Sequence, residues 1–119
     1  MSRTCWLLTA AFLAAAPARG QDTARLATAA QAALAKSCAR CHAGGEAEGG
    51  FGFVLDAKQL VQRKKVVPGD AAKSRLFKRV QAGEMPPEDE KPRPTPGEVA
   101  AIKAWIETGA SAFPEAAAA

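Results

Sequence analysis

Apolar residues in this chain fall into short stretches with helical spacing, cut apart by clusters of glycine and proline. The first stretch differs in kind: Cys5 to about Ala16 is apolar almost throughout, preceded by Arg3 and followed by the small residues of Ala16-Pro17-Ala18 and Gly20. A basic start, an apolar run and a small-residue end read as an export signal over residues 1–20, with cleavage after Gly20 or, alternatively, after Ala18. The run is well short of the roughly 20 residues a spanning helix needs, so no membrane span is expected after cleavage. Cys5 lies inside this segment and is set apart from the structural cysteines. From Asp22 to Ser37, residues Leu26, Ala29, Ala30, Ala33 and Leu34 recur at i, i+3, i+4, i+7 and i+8. That spacing predicts an amphipathic helix, in a composition rich in the best helix former.

Beyond a glycine-rich stretch at 43–50, Phe51 to Leu55 reads as a short extended apolar run whose aromatics either line a flat ligand or join an ordinary core. Asp56 is the expected N-cap of a helix from Ala57 to Arg63 with Leu60 and Val61 inward. Arg63-Lys64-Lys65 makes a basic corner, and Val66 to Asp70 a turn. Asp70 is then placed to cap a helix over Ala71–Gln81, with Leu76, Phe77 and Val80 on its buried face and Gly83 beyond its end. Glu88 to Pro94 is polar, proline-rich and irregular. Thr95-Pro96-Gly97-Glu98 is a capping box with proline at the first helical position, opening a last helix whose stripe is Val99, Ile102, Trp105 and Ile106 and whose stop is Gly109. An alanine tail at 116–119 is expected to be disordered.

Charge and length narrow the function classes. With residues 1–20 removed, about a hundred residues remain, enough for one domain at 21–115 but with a thin core if side chains alone fill it. Without Arg3 and Arg19, fourteen basic side chains face twelve acidic ones. That excess is too weak to indicate nucleic acid. The basic residues do cluster, at Arg63, Lys64 and Lys65 and again at Lys73, Lys78 and Arg79. Such a cluster is either a solvated helix surface or a docking patch for an acidic redox partner.

The chemistry concentrates in Cys38-Ala39-Arg40-Cys41-His42, because C-x-x-C-H is the attachment sequence of a c-type haem. Residues three apart share one face of a helical turn, so both thiols reach one edge of the macrocycle and the imidazole follows directly as the proximal iron ligand. A redox dithiol and a zinc site remain as alternatives. The first normally accompanies a βαβ pattern, which is not visible, and the second needs ligands beyond two cysteines and one histidine. Low-spin electron-transfer haem takes a sixth ligand, and a thioether opposite histidine raises its potential. Met85, the one methionine outside the signal, precedes Pro86-Pro87 in a stiff loop and is the candidate, against the plain reading of core filler.

These stretches in order resemble the planctomycete-type small cytochrome c domain within the class I cytochrome c superfamily. The resemblance rests on C-A-R-C-H at 38–42, the Gly49-Gly50 to Leu55-Asp56 segment, V-P-G-D at 67–70 followed by Lys73-Ser74, G-E-M-P-P at 83–87, and A-I-K-A-W-I-E-T-G-A at 101–110. Ala43 departs from the glycine often found there. The resemblance implies an all-α cytochrome c fold, about four short helices around one covalently attached haem, with the first and last helices crossing beside it. It also implies one haem c attached through Cys38 and Cys41, and His42 and Met85 as axial ligands. The expected function is that of a periplasmic monohaem carrier moving single electrons between redox proteins rather than an enzyme. A haem subunit of a larger dehydrogenase or oxidase, or a haem-based sensor, is the alternative.

Overall fold

An alanine-rich segment leads the structure. The computed structural model describes residues 19–42 and 52–114, and in it α1 runs over Arg19–Ser37, starting three residues ahead of the expected Asp22. Asp22 in its first turn and Lys36 in its last complement the helix dipole. Ala27, Ala30, Ala33 and Leu34 form the buried face, with Leu26 packed alongside. Ala29, expected on that face, is exposed, and Ala27 takes its place. At about 100° per residue, Ala27 lies only about 20° around the helix from the fully buried Leu34, whereas Ala29 lies about 140° from it. The Cys38 N–H bonds Leu34 O at 2.9 Å, and a single further turn, α2 (Ala39–His42), follows.

The next helix, α3, covers Ala57–Gln62, with Arg63 as its C-cap rather than its last residue. The Asp56 carboxylate accepts from the Gln59 N–H at 3.1 Å, as the sequence predicts. The stretch before it is not the extended run expected. Asp56 N–H bonds Phe53 O at 3.0 Å, and the resulting turn buries Val54 and leaves Leu55 37% exposed.

The helix expected over Ala71–Gln81 is broken in two. Asp70 caps only a 3-10 turn, Ala71–Lys73, and α4 occupies Arg75–Gln81. Ser74 causes the break. It has extended backbone, φ −81° and ψ 113°, and is the only buried polar residue among the described residues. Its hydroxyl accepts from the Val67 N–H at 2.8 Å and donates to Asp70 O at 2.8 Å, with Val67 O at 3.3 Å. A serine that satisfies turn backbone in this way competes with helix continuation. Leu76, Phe77 and Val80 are buried as expected.

The last helix, α5, spans Pro96–Glu107 and begins with the expected capping box: Glu98 N–H to Thr95 Oγ1 at 3.1 Å and Thr95 N–H to Glu98 Oε1 at 3.3 Å. Its Ile102, Trp105 and Ile106 are buried, and α1 and α5 make the most extensive helix pair. Trp105 is core: its indole N–H donates to Ser111 O at 2.9 Å and its ring stacks on Phe113 at 4.7 Å between centroids. The chain then folds back on α1, where Gln31 Nε2 donates to Pro114 O at 3.1 Å. Four helices, the single turn α2 and one 3-10 turn, with no strand among the described residues, make the fold all-α. Residues 1–18 of the signal expected over 1–20, the glycine loop and Phe51, and the alanine tail lie outside those residues.

Candidate functional site

The cysteines sit where α1 gives way to α2. Cys41 N–H and His42 N–H both bond Cys38 O, at 3.2 and 3.0 Å, so the three chemically distinctive residues share one tight turn. The chain returning to this turn is held there too, because Val54 N–H bonds His42 O at 3.1 Å. Cys38 and Cys41 are free thiols, each half-buried. Burial pushes the Cys38 thiol up to about 11, with the neighbouring Cys41 adding to the shift. Among the described residues no three His, Cys, Asp or Glu side chains group to hold a metal ion by themselves.

Met85 arrives from the far end of α4. Gly83 takes φ +74°, and Gly83 N–H to Val80 O at 3.1 Å with Glu84 N–H to Arg79 O at 3.0 Å closes the helix in a Schellman arrangement. Met85 N–H also bonds Arg79 O, at 3.3 Å. The irregular segment that follows sends one side chain back: the Arg93 guanidinium donates to Gly83 O at 3.1 Å, Pro86 O at 3.0 Å and Pro87 O at 2.6 Å.

These two regions, distant in sequence, wall a single cavity of about 310 Å³ whose lining includes Cys38, Cys41, His42 and Met85. That lies at the lower end of the roughly 300–1,000 Å³ typical of cofactor pockets. All four candidate site residues are therefore brought together. Phe53 does not line the cavity. Its ring packs against the core and lies 5.7 Å beneath the Arg63 guanidinium, so of its two readings core packing holds. Lys36, Glu90 and Lys91 add charge to the lining. Lys36 also pairs with Glu98, tying the end of α1 to the start of α5.

The wall fits a c-type haem in its donors: two thiols one helical turn apart, one imidazole and one thioether. It is also incomplete in itself, since Ser37 lines the cavity and its buried Oγ has no hydrogen-bond partner among the described residues. A polar atom left this way costs about 1–3 kcal/mol.

Sequence reasoning missed Arg93, Ser74 and the Lys36–Glu98 pair. None has a local signature. Ser74 is one serine in a charged stretch, and Arg93 one cation among prolines. Residues 38–89 match the family described as planctomycete cytochrome C. No curated protein and no solved structure matches the chain.

Proposed function

We propose, from the premise that residues 38–89 carry a planctomycete-type cytochrome c domain, that this protein is a periplasmic monohaem electron carrier. Cys38 and Cys41 would anchor haem c through thioethers, and His42 and Met85 would be the residues that hold its iron. The convergence of these four side chains on one cavity is the observation that carries the reading. A haem held here supplies a one-electron couple. Cys38 and Cys41 keep it from dissociating. His42, in the same turn as both cysteines, is positioned by the backbone that anchors them. Met85 contributes a soft thioether, which favours the reduced state and raises the potential. No residue in the cavity wall has to gain or lose a bond in the exchange.

Docking is assigned to the basic corner at Arg63, Lys64 and Lys65 together with Lys73, Lys78 and Arg79. Leu76 N–H bonds Lys65 O at 3.0 Å, which sets the corner against the start of α4, and Lys64 and Lys78 are exposed. A patch of this kind suits weak, electrostatically steered encounter with an acidic partner. Export through residues 1–20 agrees with haem attachment outside the inner membrane.

The test is expression of the full chain in a host competent for cytochrome maturation, followed by intact mass and optical spectra. The mature protein should weigh its polypeptide plus one haem and show a low-spin spectrum in both oxidation states. Met85→Ala should abolish the sulfur-to-ferric-iron absorption band and lower the potential. Colourless protein overturns the haem reading; an unchanged Met85→Ala spectrum overturns the distal ligand.

A further inference from the structure

The loop that carries Met85 is poor in the means of holding itself. Pro86 and Pro87 have no N–H to give, so this part of the chain offers carbonyl acceptors and few donors. The direct backbone tie at Met85 is its N–H to Arg79 O, long at 3.3 Å. Three neighbouring carbonyls, those of Gly83, Pro86 and Pro87, lie on both sides of Met85. All three accept from a single side chain, Arg93, at 3.1, 3.0 and 2.6 Å. A guanidinium is a rigid, donor-only fork that stays charged at any working pH. It is chemically matched to a cluster of acceptors of which Pro87 O alone is given a backbone bond among those between the described residues, from Glu90 N–H at 2.8 Å. Arg93 is half-buried, so part of this contact is withdrawn from competing water.

We propose that Arg93 is the positioning residue of the distal thioether: by bracing the carbonyls on either side of Met85, it holds that side chain in the cavity wall that also contains His42. The proposal rests on the reading of Met85 as axial ligand. Loss of the brace takes the guanidinium from Gly83 O and Pro86 O, leaves Pro87 O with only its bond from Glu90 N–H at 2.8 Å, and lets the loop leave the cavity more often. An added ligand that competes with the thioether then binds more tightly, in proportion to the fraction of open loop.

The experiment uses the haem-loaded protein, exogenous imidazole as the competing ligand for the ferric form, and carbon monoxide for the ferrous form. Arg93→Gln should retain covalent haem and helical circular dichroism while binding imidazole about tenfold more tightly, the effect of losing one charge-assisted hydrogen bond. Carbon monoxide should bind correspondingly faster. Arg93→Lys should fall nearer to Gln than to wild type, because one ammonium does not span three carbonyls. Ser74→Ala, which weakens the fold away from the loop, should leave both affinities unchanged. Wild-type affinities in Arg93→Gln, with the sulfur–iron band still lost in Met85→Ala, overturn the role of Arg93 and leave the ligand intact. A Met85→Ala protein that keeps the band overturns both. An equal shift in Ser74→Ala marks the effect as general loosening and also overturns the proposal.

Discussion

Ser74→Ala removes one oxygen from a site with no solvent exposure. That oxygen accepts from Val67 N–H and donates to Asp70 O, each at 2.8 Å. Truncation therefore strands the Val67 donor, whereas Asp70 O keeps the first bond of the 3-10 turn it caps. A fully buried unsatisfied group costs about 1–3 kcal/mol. Val67 is half-buried, so water relieves part of it, and a net loss of about 1–2 kcal/mol is expected. In a domain whose total stability is on the order of 5–15 kcal/mol this is a large fraction. It corresponds to a fall in Tm of about 5–15 °C for a chain of this size. Urea titration of the haem-loaded protein, followed by circular dichroism and haem absorbance, reads it directly. The midpoint should drop with the slope unchanged. Thr28→Ala, which removes an exposed hydroxyl bonded to Ala24 O at 2.9 Å, should stay within about 0.5 kcal/mol of wild type. A Ser74→Ala protein as stable as Thr28→Ala would refute the idea that this hydroxyl holds the 67–74 turn.

Two further outcomes follow from charge. The Lys36 hydrogen bond, outweighing partial burial and aided by the Thr95 backbone, holds the Glu98 carboxyl below its ordinary value. Its stabilising effect is thus present above the usual glutamate range and lost as pH falls through the lowered value. Glu98→Gln should cost at most about 1 kcal/mol at neutral pH, since the pair is partly solvated, and the gap from wild type should close in acid; a gap that widens on acidification contradicts the sign. Replacing Arg63, Lys64 and Lys65 together by glutamine should slow reduction by an acidic partner at low ionic strength and flatten the salt dependence. Stopped-flow rates that keep the wild-type dependence place the contact elsewhere.

What could be read from the chain beforehand was whatever a few adjacent residues decide among themselves. The Thr95–Glu98 box, the Asp56 cap and the Leu76, Phe77 and Val80 face all depend on spacing within one or two turns, and each formed as expected. The phase of α1 was harder, because alanine is acceptable on any helix face and its positions carry little information about which side is buried. That is why Ala29 was expected inside and Ala27 is found there. The break at Ser74 depends on backbone groups presented by a turn seven residues earlier. The reach of Arg93 depends on where a chain without regular structure passes. For the site, motif spacing brought Cys38, Cys41 and His42 together. The arrival of Met85 at the same cavity is a tertiary fact for which the sequence offered only candidacy.

The face that α1 turns toward the rest of the core is largely made of methyl groups. Where neighbours interlock through long side chains, a helix can slip and re-seat by changing rotamers. Alanine has none to change, and the separation of such helices is set chiefly by the thickness of the backbone itself. The depth at which α1 seats is accordingly set by close approach of its backbone, and Cys38, whose amide is bonded into the last turn of that helix, takes its position from that seam.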